Sequence, residues 1–132
     1  MKMEIEIDDK VISNILCDAF EGGSNYWYTI EDYVYAEGVT ESDFNEGGKF
    51  QDKDDYFHPS QLIPLQPGCA VIIRADGDKK KYQLNRGAIE RGLKVMVAKY
   101  AKHFGDMMSE HDDADTGDVF LQCCLFGEVV YG

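Results

Sequence analysis

Basic residues are scarce in this chain: 13 Lys and Arg stand against 25 Asp and Glu, and none lies beyond residue 102. Such a balance repels phosphate backbones and anionic lipid headgroups, so direct nucleic-acid binding is not expected. Long apolar runs are also missing, and none reaches the roughly 18 residues that a membrane span requires. The opening Met-Lys-Met-Glu-Ile-Glu-Ile does not read as a signal peptide. The expectation is therefore a cytoplasmic protein with no membrane partner. The four cysteines (Cys17, Cys69, Cys123, Cys124) form no spaced framework, and two are adjacent. They read as reduced, buried small hydrophobes. No phosphate-binding glycine loop and no Gly-x-Ser-x-Gly elbow occurs. An enzyme is accordingly not the leading expectation, and no cofactor is expected.

What the chain does hold is enough for a core. Its 132 residues are 44% hydrophobic, with 8 Tyr, 7 Phe and 1 Trp, which suits one domain spanning 1–132. The charge is segmented. Residues 1–55 carry 15 acidic and 4 basic residues, 74–102 carry 3 and 9, and 103–132 carry 7 and none.

Local patterns predict an α+β fold with an antiparallel sheet of about four strands and about three helices, mainly on one face. Met3, Ile5 and Ile7 alternate with Glu4 and Glu6, which predicts a strand over 3–7. Apolar residues from Val11 to Phe20 at helical spacing predict a helix over 9–21, ended by Gly22-Gly23. Aromatic and β-branched density predicts a strand over 26–35. The segment 36–68, with Gly47-Gly48, Pro59, Pro64, Pro67 and the acid run Asp52, Asp54, Asp55, reads as a long irregular acidic excursion. Residues 69–74 and 79–84 read as a hairpin around Asp76-Gly77. Asn85 caps a helix over 86–104, with Ile89, Leu93, Met96, Val97, Tyr100 and Phe104 on one stripe. The run 119–126 is apolar nearly all round, which periodicity alone leaves open between helix and strand. The carboxylates and Thr116 before it, and Gly127 after it, favour a helix over 116–126. The expected core holds Ile5, Ile15, Leu16, Phe20, Val71, Ile73, Leu93, Met96, Val97, Tyr100, Phe120 and Cys123.

Four groups of residues could carry function, and the first is the acid run Asp52, Asp54 and Asp55, a candidate binding surface for a basic partner. Asn25, Tyr26, Trp27 and Tyr28 offer stacking faces and hydrogen bonds after a glycine pair, beside the bland reading of a helix stop and a core strand. His111, Asp112, Asp113 and Asp115 have the chemistry of a metal site, although the carboxylates also suit a helix N-terminus. Asp43, Asn45, Gly48 and Asp54 echo a calcium loop, yet Gly47 stands where an oxygen ligand is wanted.

The stretches Glu21-Gly22-Gly23-Ser24-Asn25-Tyr26-Trp27-Tyr28 and Asp113-Ala114-Asp115-Thr116-Gly117-Asp118-Val119-Phe120-Leu121-Gln122-Cys123-Cys124-Leu125-Phe126-Gly127-Glu128 together resemble small proteins encoded by phages and prophages. The resemblance runs nearly end to end, with 40–60 the most divergent part. It implies a context, an accessory protein inside a bacterial host cell, and brings no activity, cofactor or catalytic residue with it. The leading expectation is then a non-enzymatic protein that binds a host protein bearing a basic surface through acidic and aromatic residues. An anti-defence inhibitor or a nucleic-acid mimic is its sharpest form. One alternative is a binder or sponge for a nucleotide signal, using Asn25, Tyr26, Trp27 and Tyr28 with Arg74, Arg86 or Arg91. A second is a metal-dependent enzyme built on His111, Asp112, Asp113 and Asp115.

Overall fold

The computed structural model describes residues 6–23, 26–77 and 80–132, and it is an α+β fold. Helix α1 (Asp9–Asp18) starts where the Asp8 side chain accepts from the Lys10 amide, and it buries Ile12, Ser13, Ile15 and Leu16. It does not run on to residue 21 as an α-helix. At Ala19 the backbone widens into a π-helical segment (Ala19–Gly23) that leads toward the first strand.

Three strands, not four, form the sheet among the described residues. Strands β1 (Tyr28–Val34), β2 (Ala70–Ala75) and β3 (Lys81–Leu84) lie in that order and pair antiparallel. The strand expected over 3–7 lies almost wholly outside the described residues, and Glu6 and Ile7 have no regular structure. In β2, Val71, Ile73 and Ala75 are buried while Ile72 and Arg74 are half-buried, so one face of the sheet carries the core. Glu31 is the extra residue of a bulge between Ile30 and Asp32. Its carboxylate pairs with Arg74 on β2 and, at 3.5 Å, with Lys81 on β3.

The helix expected over 86–104 is two helices. Helix α2 (Arg86–Lys99) begins at Asn85, whose side chain accepts from the Ala88 amide at 2.9 Å, and it stops at Tyr100. Tyr100 leaves the helical backbone at φ −132°, ψ 50°, and α3 (Ala101–Met108) follows. Its hydroxyl turns to the C-terminal tail and accepts from the Val129 amide at 3.0 Å. That break changes the stripe. Leu93 and Met96 are buried as expected, Val97 and Tyr100 are only half-buried, and Met107 enters the core instead.

Helix α4 (Ala114–Phe126) confirms the helical reading of the apolar run. The Asp113 side chain caps it through the Thr116 amide, and Gly127 ends it at φ +74°. It packs against α1, the π segment, α2, α3 and β3, which makes it the central element. One contiguous core results, and it is wider than expected. Ile15, Leu16, Val71, Ile73, Leu93, Met96, Phe120 and Cys123 are buried, Phe20 is half-buried, and Ile5 is outside the described residues. The excursion 36–68 adds Phe44, Phe57, Leu62, Ile63 and Leu65 through three short 3₁₀ turns, Glu41–Phe44, Pro59–Gln61 and Ile63–Leu65.

Inside this core lies a polar junction. The Asp118 carboxylate, on α4, is buried and accepts from Trp27 Nε1 at 2.8 Å, the Tyr26 hydroxyl at 2.9 Å and Gln122 Nε2 at 3.1 Å. Gln122 then holds the tail: its Oε1 accepts from the Val130 and Tyr131 amides, and its Nε2 also donates to the Tyr131 carbonyl. The Tyr131 ring completes the junction by stacking on Trp27, with centroids 5.2 Å apart and planes at 7°.

Two substitutions check this architecture. Leu93→Ala should lower the unfolding free energy by about 2–5 kcal/mol, the range for a buried leucine. Asp118→Ala leaves the Trp27 N–H inside the core without its acceptor and should lower it by about 2–3 kcal/mol. Urea denaturation followed by circular dichroism measures both, and an unchanged midpoint in either variant would refute the placement of that residue.

Candidate functional site

The acid run of the excursion is built on a single amide side chain. Gln51 donates from Nε2 to the carbonyls of Phe44 and Phe57, both at 2.9 Å. Its Oε1 accepts from the amides of Asp52 at 3.1 Å and Phe57 at 2.9 Å. All its polar capacity is therefore spent on the loop backbone, between two rings, Phe44 and Phe57, that are themselves in the core. Upstream, Gly48 lies so close to the backbone that a Cβ would sit 2.4 Å from the carbonyl oxygens of Ser42 and Asp43. Only glycine fits there. The echo of a calcium loop thus has a structural cause: Asp43 accepts from the Thr40 amide, and Gly48 closes the turn.

From that base the three aspartates take different roles. Asp52 Oδ1 accepts from the amides of Asp54 at 2.8 Å and Asp55 at 3.0 Å, so it shapes the turn. Those two amides, Asp55 first, hold its carboxyl below the usual range. Asp55 reaches Lys10 on α1 at 2.8 Å, a pairing that raises the lysine above its ordinary value. Asp54 is exposed, and its carboxylate accepts no hydrogen bond from the described residues. Next to them stands Tyr56, 62% exposed, which lines two open hollows. One, of about 650 Å³, is lined by Lys49, Gln51, Asp54 and Tyr56 among others; the second, of about 500 Å³, by Lys10, Cys17, Glu21 and Tyr56. Sequence reasoning missed Tyr56. Its signal was available: an aromatic directly after an acid run, in a segment with no strand pattern.

The aromatic segment at 25–28 is different from its expectation. Asn25 lies outside the described residues. Trp27 is 2% exposed and belongs to the core junction, so it presents no face to a ligand. Tyr28 is half-buried against Phe20 and Trp27. Tyr26 is 54% exposed, but its hydroxyl is engaged by Asp118 and the Tyr131 carbonyl. Burial and the Asp118 carboxylate together push that hydroxyl up to about 12. Two of the arginines considered with this segment also have structural partners. Arg74 pairs with Glu31, while Arg86 donates to the Leu65 carbonyl at 2.9 Å and to Asp9 at 2.9 Å.

The four residues of the metal reading do not converge, and among the described residues no three His, Cys, Asp or Glu side chains come together as a ligand set. His111 Nδ1 lies 3.2 Å from the Ser109 hydroxyl, Asp113 caps α4, Asp115 is exposed in its first turn, and Asp112 faces Asp18. The cysteines are all free. Burial pushes the Cys123 thiol up to about 11 and Cys124 well above its ordinary value, so neither supplies a thiolate.

In comparisons with known proteins, no family model, no curated protein and no solved structure matches this chain. No helix among the described residues is long and apolar enough to cross a membrane.

Gln51→Ala should release the acid run while leaving the sheet and α4 intact. Its expected cost is about 2–3 kcal/mol, since it orphans the half-buried Phe57 amide. Hydrogen exchange should show faster exchange at 52–57 with little change in β2, and uniform acceleration would refute a local role.

Proposed function

We propose that this chain is a non-enzymatic binding protein whose Asp52–Tyr56 loop recognises a basic surface on a partner protein. The observation that carries the reading is the saturated Gln51 side chain, which ties down the loop backbone on both sides of the exposed Asp54 and Tyr56. A loop already ordered loses little conformational entropy on docking, which favours affinity. Tyr56 offers a stacking face to an Arg or Lys side chain, and Asp54 offers the countercharge. Acidic residues at 1–55 and 103–132 extend the field over a larger area and would steer a basic partner. The phage-type resemblance supports a host protein as the partner, with inhibition of a defence factor or of a basic nucleic-acid channel as the specific form of the activity. The nucleotide-sponge alternative loses support, because Trp27 is buried in the core and Arg74 and Arg86 are already paired at the surface with Glu31 and Asp9.

The test starts with a partner captured from host lysate and identified by mass spectrometry, then measured by surface plasmon resonance. Tyr56→Ala should raise the off-rate by about tenfold or more, as expected when an interface aromatic is lost. Neutralising Asp54 and Asp55 together should mainly slow association and flatten its salt dependence. Affinity indifferent to salt and to both changes would overturn the reading.

A further inference from the structure

The joint between α1 and α4 is closed by carboxyl groups. Asp18, the last residue of α1, lies under the first turn of α4, where Gly117 comes so near that a Cβ would be 2.7 Å from Asp18 Cβ and 2.5 Å from the Ala19 nitrogen. In this tight seam Asp18 Oδ2 is buried with no hydrogen-bond partner among the ordinary donors. The group that faces it is the Asp112 carboxyl, and a hydrogen bond between two carboxyls requires a proton on one of them.

We propose that Asp18 and Asp112 share one proton, and that this proton is a latch which holds the end of α1 and the π segment against α4. Without it, two carboxylates confront each other beside the seam that Gly117 makes with Asp18, and the joint loosens. The surrounding groups keep the proton on this pair. Asp113 spends its carboxylate on the Thr116 amide at 2.9 Å, and that bond, with His103 nearby, holds it below the usual range. His103 on α3 is engaged through Nδ1 with the Thr116 hydroxyl at 3.1 Å. Cys17 on α1 and Glu21 on the π segment interact with each other, and burial first, then Glu21, raises the thiol. Asp18 itself is pushed up to about 7, by burial first, then by the Asp112 hydrogen bond and the charges of Asp112 and Asp113.

The sign follows from linkage. The folded chain retains a proton that the unfolded chain releases in the ordinary aspartate range, so the latch contributes fully at low pH and is lost as pH rises to about 7. The ion-paired or amide-bound Glu31, Asp52 and Asp113 are lowered and act in the opposite sense, at the acid end. The window that isolates the latch is therefore about pH 5–8.

Thermal denaturation of the full chain across that window tests the proposal. The wild type should lose about 5 °C in Tm between pH 5 and 7 and level off above. Asp18→Asn, whose carboxamide donates to Asp112 at any pH, should remove that decline and melt above the wild type at pH 8. Comparison of the two curves cancels the titration of the three histidines. Parallel curves would overturn the latch. Should Asp18→Asn fail to fold, carboxyl-carbon NMR of the wild type decides: an aspartate step near neutrality supports the shared proton, and completion of every aspartate titration below about pH 5 overturns it.

Discussion

One buried carboxylate sets the relation between the sheet and the helices. Among the donors to Asp118 are Trp27, Tyr26 and Gln122, three neutral groups. In a low-dielectric interior such a charge is tolerable only while its hydrogen bonds are made, so the geometry around it is tightly specified. The donors come from the approach to β1 and from α4, and Gln122 relays the constraint to the tail. Remove that carboxylate and the ring of Trp27 has a polar edge with nowhere to go. The position of α4, against which α1, α2 and α3 all pack, depends on this choice being met.

Carboxylates elsewhere in the chain use other chemistry. Asp52, Asp113 and Asp8 accept from backbone amides and shape a turn or a helix start, which stabilises their charged forms. Glu31, Asp55 and Asp9 meet cations at the surface. Among the described residues, the Asp54 side chain makes no hydrogen bond or close ion pair and is exposed, and Asp18 is faced by another acid. The net charge of −12 therefore overstates the acidic surface offered to a partner, because several of its contributors are inward-looking or already paired.

The parts of the fold that were legible in the sequence are those whose signals are local. The caps at Asp8, Asn85 and Asp113, the β2–β3 hairpin and the Gly127 stop are each decided within a few residues. What was not legible depends on distant partners. Tyr100 continues a helical stripe by spacing, and only the tail amide of Val129 gives its hydroxyl a reason to leave it. Phe44, Phe57 and Ile63 sit among acids, glycines and prolines that dilute their apolar signal, yet all three are core residues. Alternation around Trp27 left open which face it would take. The clue was on α4, where Asp118 and Gln122 stand one helical turn apart in an otherwise apolar run and so require donors and acceptors from elsewhere. In the candidate site, charge alone pointed to Asp52, Asp54 and Asp55, but the division of roles among them rests on Gln51 and Lys10, which no charge pattern reveals.

The stacking of Tyr131 on Trp27 has a practical consequence. The chain holds a single tryptophan, and its indole is hydrogen-bonded to a carboxylate, covered by the C-terminal tail and shielded from water. Its fluorescence is thus a native optical reporter on one defined junction, with no competing emitter of its kind. An event that parts the tail from α4 alters both its polarity and its quenching environment, whereas a partner settling on the turn at Tyr56 reaches that indole only if the tail junction itself gives way.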